Sequence, residues 1–367
     1  MLNQNNIFFS AIMNLKPIEE LLRQTYEEAE YPALKEQMTR WTQEKPLAEM
    51  RVLDATPVYR NTLLKHLALI AAGARLTVGI SRVMAHDPAI VRLLNDCDIP
   101  VCDADNSSGE TDFDLILDCA GSFSRLTPRI GYVELTHSGI DAFQNNRRPV
   151  FFADGGRIKR IETCLGTGES YFRAMRQLGY RDWEGRKLVL FGCGKVGSGI
   201  LFQAHGKGIK TTVVTDTGCL QPDTASYAAE VIDYRDLPRI VQALQGAYAV
   251  VTATGLPNAL AAIPAEALTG CGALLANMGV EDEYGPHIAP EAVLNNKLTL
   301  NFILEEPTRL RYIDATLALH NAGAVYLKEQ GFPPSYRFLL PPEAIETEIL
   351  SVTRQNGLLE KELAYIG

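Results

Sequence analysis

The chain has 367 residues, more than one ordinary domain holds, and two domains are expected. Hydrophobic content of 46% and charged content of 22% are globular values, and a net charge of −9 with no Lys/Arg run excludes a nucleic-acid surface. No apolar run reaches membrane-spanning length, the opening MLNQNNIFFSAIM lacks the basic n-region of a signal peptide, and seven scattered cysteines with no C-x-x-C suggest reduced thiols in a cytoplasmic protein.

Ile18, Leu21, Leu22 and Tyr26 predict an early helix behind Pro17. Strands and helices then alternate. Strands are expected at Arg51–Ala55, Leu76–Ile80, Pro100–Asp103, Leu115–Cys119, Tyr132–Thr136 and Val150–Ala153, with helices at Asn61–Ala72 and Pro88–Asn95. The first ~160 residues thus read as an α/β domain of ordinary size. Cys164–Tyr180 opens with LGTGES and continues with Tyr171, Phe172, Met175 and Leu178 on one face. That pattern predicts one long helix, read as bridging the two domains.

The stretch Lys187–Asp216 carries the strongest signal. The apolar run Leu188–Phe191 suits a buried parallel strand. Gly192, Gly194 and Gly197 follow with G-x-G-x-x-G spacing, then Ile200, Leu201 and Ala204 at helical spacing, then a β-rich run Thr211–Thr215 ending at Asp216. In this context the first glycine permits a tight turn, the second lets backbone approach a pyrophosphate, and the third lets the helix pack on the sheet. The helix N-terminus offers free N–H groups to the phosphates, with Lys195 and Val196 among its first residues. Asp216, 24 residues after Gly192, is placed to accept hydrogen bonds from a ribose diol and to repel a 2′-phosphate, which favours NAD over NADP.

Later strands are expected at Glu230–Ile232, Ala249–Ala253, Ala273–Ala276 and Leu298–Phe302. Thr254–Gly255 and Asn277–Gly279 follow two of them, at carboxyl ends where such sheets bind ligands. Thr308–Leu327, with Ala315, Leu319 and Ala322 along one face, predicts a helix that returns the chain to the first domain. Phe332-Pro333-Pro334, Pro341-Pro342 and a short helical tail ending at Gly367 close the sequence. The expected fold class is α/β: a Rossmann NAD-binding domain at 164–308 inserted into a second α/β substrate domain at 1–163 and 309–367. Such a layout implies a hinged cleft.

Several of these stretches resemble the S-adenosyl-L-homocysteine hydrolases (adenosylhomocysteinases). LGTGES at Leu165–Ser170 resembles that family's YGTGQS/YGTGES element, and FGCGKVGSG resembles its AGYGxVGxG loop. KPLAEMRV, LILDCAG, VELTHSG, VVTATG, LANMG and LLEKELAYIG resemble KPLxGxRI, ILDDGGD, SEETTTG, FVTTTG, VCNIG and LTEKQAQYLG, in the same order along the chain. The resemblance implies a small-molecule substrate, a homo-oligomer, and bound NAD used as a catalyst. That family oxidises a ribose 3′-hydroxyl, eliminates or adds a thiol, and reduces the ketone back. It implies NAD contacts at Thr136, Thr254, Gly255, Asn277, Gly279 and Asn301, with His137 beside the nicotinamide ribose and Asp216 in place of a Glu.

The departures fall on the substrate side. Pro57-Val58-Tyr59-Arg60-Asn61 replaces His-Met-Thr-x-Glu, Cys119 and Leu135 replace an Asp and a Glu, and Val280 replaces a His. The chain stops at Tyr365-Ile366-Gly367, where the resemblance implies a further Lys/Tyr-bearing tail. Near the family's Lys…Asp-Asn, Ile158 takes the Lys position with Lys159 beside it, and Glu162 with Thr163 takes the Asp-Asn pair. Lys159 and Glu162 are therefore the acid–base candidates, with a surface ion pair as the alternative. His320 reads as a packed histidine, and no set of side chains has metal-ligand spacing. Three functions follow: NAD-dependent, adenosylhomocysteinase-like chemistry on an altered substrate; an NAD-dependent dehydrogenase of a small hydroxy or amino acid; or a non-catalytic NAD-binding regulator. The 2-hydroxyacid dehydrogenases share the layout but use an Arg and a Glu–His pair, and His287 has no evident partner set.

Overall fold

The computed structural model describes residues 14–82, 84–106, 109–332 and 338–366. The readings on Met1–Met13, Pro333-Pro334 and Gly367 lie outside these residues. The chain divides into two compact units, Met1–Lys159 with Leu310–Gly367, and Arg160–Arg309.

The first unit is built on seven parallel strands: β1 (Arg51–Asp54), β2 (Arg75–Ile80), β3 (Val101–Asp103), β5 (Leu115–Asp118), β7 (Gly131–Glu134), β8 (Val150–Phe152) and β15 (Phe338–Leu339). Their order is β15-β8-β7-β5-β1-β2-β3. A separate two-residue pair joins β4 (Gly109–Glu110) to β6 (Leu126–Thr127). Every residue of β5 and β7 is buried, as expected of parallel strands covered on both faces. The strand order reverses between β1 and β5, which makes their carboxyl ends the switch point of this sheet.

The helix Leu310–Gln330 is longer than Thr308–Leu327 suggested and is not amphipathic. Tyr312, Asp314, Leu317, His320, Asn321 and Ala324 are all buried, so it is surrounded on most sides. Gly323 lets it lie close to the sheet, because a Cβ there would sit 2.7 Å from the Phe151 ring. At its start, Asp314 accepts hydrogen bonds from Ala33 N (2.9 Å) and Leu34 N (3.0 Å), the orphan amides opening the helix Pro32–Glu44.

The second unit is a six-stranded parallel sheet of β9 (Lys187–Phe191), β10 (Lys210–Thr215), β11 (Glu230–Asp233), β12 (Ala249–Thr252), β13 (Leu274–Asn277) and β14 (Val293–Leu294), in the order β11-β10-β9-β12-β13-β14. Its switch point lies between β9 and β12. One expected strand is absent: Leu298–Phe302 holds a 3₁₀ turn at Leu300–Ile303, and Val293–Leu294 pairs with β13 instead. Leu298 and Phe302 are exposed while Leu300 and Asn301 are buried, so the alternating apolar residues do not share one covered face. The helix expected over Cys164–Tyr180 begins earlier, as a π-helical turn Ile161–Gly166, and continues as an α-helix over Thr167–Gln177. No described helix is long and apolar enough to cross a membrane.

Asp314 gives the first unit a pH dependence. Burial pushes its carboxyl up to about 7, against the pull of the two N–H donors. Between the ordinary value of 3.8 and about 7, the folded chain keeps a proton that the unfolded chain releases. The stability tied to that proton is complete below about pH 4 and is lost as pH rises to about 7. Asp314→Asn should flatten this slope. Urea midpoints at about pH 5 and pH 7.5 should show the unsubstituted chain losing roughly 1–3 kcal/mol more than the variant. Equal slopes would return Asp314 to ordinary carboxylate behaviour.

Candidate functional site

In the second unit the glycine loop leaves β9 at Gly192, whose φ of +88° is a left-handed conformation that suits glycine. Its N–H is tied to Val214 O at 2.8 Å. A Cβ on Gly197 would lie 2.1 Å from Gly192 O, so the turn closes against the helix backbone. A Cβ on Gly194 would meet nothing within 4 Å: this glycine borders open space. The helix Lys195–Gly206 starts there with no side-chain cap, and its N-terminus is the kind that attracts an anionic group.

The other strand ends complete a rim. Beyond β10, Asp216 accepts from Gly218 N at 3.0 Å and lies 3.6 Å from Arg235 Nη2. Beyond β12, Thr254 and Gly255 are held by Glu283, a fully buried carboxylate that accepts from Thr254 N (2.8 Å), Thr254 Oγ1 (2.9 Å) and Gly255 N (2.7 Å). Beyond β13, Asn277 accepts from Thr252 Oγ1 and Gly279 N and donates to the carbonyls of Glu281 and Lys297, so its side chain shapes the loop. Thr299 Oγ1 ties the following 3₁₀ turn to Gly279 O at 2.7 Å. In that turn Asn301 Oδ1 is buried with no hydrogen-bond partner among the described residues. Gly192, Gly194, Lys195, Val196, Gly197, Asp216, Thr254, Gly255, Asn277, Gly279 and Asn301 thus all lie in the second unit, at or beside the strand ends or the loop.

The LGTGES and glycine-loop stretches are packed on each other. A Cβ on Gly199 would lie 1.8 Å from Cys164 O, and one on Gly168 would lie 2.3 Å from Gly199 C. Cys164 Sγ lies 3.4 Å from Ser198 Oγ. Burial pushes the Cys164 thiol up and the Cys193 thiol up to about 12, which suits neither to act as a thiolate.

Thr136 and His137 belong to the first unit. The Thr136 hydroxyl donates to Glu134 Oε1 (2.6 Å) and accepts from Ala120 N and Gly139 N, while His137 is exposed with Nδ1 4.0 Å from Asp154 Oδ2. Lys159 and Glu162 fall in different units. Lys159 is buried rather than on a surface, and Glu162 is half-buried in the π-helical turn.

Sequence reasoning missed a polar interior in the first unit. At the end of β1, Asp54 lies 2.7 Å from Lys65 Nζ and 3.0 Å from His66 Nε2, and accepts from Thr56 Oγ1 at 2.7 Å. Burial alone would raise its carboxyl, but Lys65 and His66 hold it well below the usual range. His320 is packed, as expected, but is also hydrogen-bonded, with Nε2 2.8 Å from Val133 O and Nδ1 3.5 Å from Thr56 Oγ1. Burial, reinforced by the Lys65 charge, pushes it down to about 3, so the ring is neutral, with its proton assigned to Nε2 facing the carbonyl. Asp118 and Glu134 stand side by side on β5 and β7. Burial and the adjacent Glu134 push Asp118 well above the usual range, while backbone N–H groups of Cys119, Phe123, Ala120 and Gly121 satisfy the two carboxyls. A polar residue ending an otherwise apolar strand was the available signal.

No family model matches the chain, and no match was found among curated sequences. Among solved structures, the fold is similar to that of a component of the dipicolinate synthase from Bacillus halodurans, with TM-score 0.51 and 13% identity over 78% of this chain and 100% of that one. A transhydrogenase from Sinorhizobium meliloti gives TM-score 0.42 and 13% identity, over 76% and 94% of the two chains. A D-isomer specific 2-hydroxyacid dehydrogenase family protein from Aeromonas salmonicida gives 0.32 and 14%, over 68% and 80%. The first likeness is one of fold, and with the two parallel sheets it places the chain among α/β proteins of Rossmann type.

The glycine contacts predict a sharp contrast. Gly199→Ala should lower the melting temperature of the second unit by at least about 5 °C, because the methyl meets backbone that cannot yield. Gly206→Ala, whose Cβ meets nothing, should be neutral or stabilising. Similar melting of both variants would mean the two helices are not held by this contact.

Proposed function

We propose that the second unit binds NAD and that the chain uses it for hydride transfer on a hydroxylated small molecule. The observation that carries this reading is the loop geometry: a closed turn at Gly192 and Gly197, open space at Gly194, uncapped helix amides, and Asp216 at the next strand end. The orphaned, buried Asn301 Oδ1 adds an acceptor in want of a donor. The helix N-terminus would hold the pyrophosphate and Asp216 the adenosine ribose, while Glu283 keeps Thr254 and Gly255 in place beside the loop. When bound, NAD supplies a hydride acceptor for a C–H that bears a hydroxyl. Lys159 and Glu162 are carried as acid–base candidates by their positions in the sequence.

The adenosylhomocysteinase likeness supports the cofactor more than the substrate. Pro57, Cys119, Leu135 and Val280 stand where that likeness implies polar groups; Cys119 and Leu135 are buried and Val280 is exposed. A small hydroxy or amino acid is the second reading of the substrate, supported by the Rossmann-type layout of the chain.

Two measurements test the proposal. In calorimetry NAD should bind the unsubstituted chain; Gly194→Val should abolish binding without lowering the melting temperature, and Asp216→Ala should weaken it by about tenfold or more. Unimpaired binding by Gly194→Val would remove the loop from the site. In turnover, the chain should form NADH from a panel of hydroxylated acids and release little thiol from S-adenosylhomocysteine, and Lys159→Met should cut NADH formation by about 100-fold or more while sparing NAD affinity. Thiol release at about 1 s⁻¹, an ordinary enzyme rate, would restore the hydrolase reading; NAD binding with no NADH from any substrate would favour the non-catalytic one.

A further inference from the structure

The carboxyl ends of β10 and β11 hold a charged cluster that the glycine-loop reading does not use. Arg235 Nη1 lies 3.2 Å from both carboxylate oxygens of Asp233. Asp233 is itself fixed by Arg235 N (3.0 Å) and Thr217 Oγ1 (3.0 Å). The guanidinium is further braced by the Tyr234 ring, whose centroid lies 4.2 Å away. Its other terminal nitrogen, Nη2, is 3.6 Å from Asp216 Oδ2. One cation therefore faces two carboxylates, and the cluster carries a net single negative charge at the strand end assigned to the ribose.

We propose that Arg235 is the residue that recruits a 2′-phosphate at this site once Asp216 no longer occupies it, so that the pair together sets the choice of dinucleotide. The proposal rests on the dinucleotide reading of the glycine loop. With Asp216 present, the guanidinium is neutralised on two sides. The surplus carboxylate charge takes a neutral ribose diol and repels a dianionic 2′-phosphate. Without Asp216, Arg235 remains anchored through Asp233 and Tyr234, while Nη2 has lost its partner. A planar guanidinium held in this way is a strong phosphate donor. Asp216 thus does two things at once: it binds the diol and occupies the residue that would otherwise recruit the phosphate.

The test titrates NAD and NADP into the full chain and into Asp216→Ala, Arg235→Gln and the double variant. Both side chains are substantially exposed, and melting curves check that each variant folds. The unsubstituted chain should prefer NAD by about tenfold or more, and Asp216→Ala should invert that preference by gaining NADP affinity. Adding Arg235→Gln should remove about tenfold or more of the gain, whereas Arg235→Lys should keep part of it. The gain should also shrink between about 50 and 500 mM salt, because exposed charges are screened. A double variant that keeps the NADP affinity of Asp216→Ala would overturn the proposal while leaving NAD binding intact. Equal affinity of the unsubstituted chain for both dinucleotides would overturn the charge argument. Failure of that chain to bind either one would overturn the dinucleotide reading itself, and this proposal with it.

Discussion

Two approaches of backbone to backbone fix the second unit. At Gly197 the helix backbone meets Gly192 O, and at Gly199 it meets the Cys164 carbonyl, in each case at a distance no Cβ tolerates. The neighbours are main-chain atoms, so no rotamer change can make room. The turn after β9, the helix Lys195–Gly206 and the π-helical turn Ile161–Gly166 consequently form one block. The leading amides of the helix are thereby aimed before any ligand arrives. Fixing them in the folded chain removes an ordering cost from binding.

That constraint also explains what could be read from the sequence. A collision with backbone dictates a residue type, so the glycine spacing is visible without a structure. Asp216 is visible because it ends the β-rich run Thr211–Thr215. Strands buried on both faces, such as Leu115–Asp118 and Ala249–Thr252, show as continuous apolar stretches. Glu283 was not legible, since its partners are the amides of Thr254 and Gly255, and every residue but proline has an amide. Arg235 was not legible either, because its meaning comes from two carboxylates on neighbouring strand ends. Leu298–Phe302 misled for a related reason: apolar residues at 298, 300 and 302 suit a strand, but in the turn only Leu300 of the three is buried.

The strand ends of the two units solve opposite problems. In the second, the Asp216 carboxylate stays partly exposed beside Arg235. In the first, the ends of β1, β5 and β7 each bury a carboxyl and surround it with polar partners from the same unit. Asp54 is met by Lys65 and His66, Glu134 by four hydrogen bonds from Ala120, Gly121 and Thr136, and Asp118 by amides at a raised affinity for its own proton. Buried ionic groups of this kind contribute little net stability, but removing one partner leaves a costly unpaired charge. Their hydrogen bonds to Thr56, Cys119, Ala120, Gly121, Phe123 and Thr136 tie down the loops after β1, β5 and β7.

Two of these carboxyls are each followed by a buried side chain of another kind: Asp118 by Cys119 and Glu134 by Leu135. Asp118 and Glu134 are committed to the loop amides, so replacing either would leave buried donors unpaired. The loops after β5 and β7 are therefore tied to residue types that a sequence must keep at these two positions, whatever ligand the unit meets.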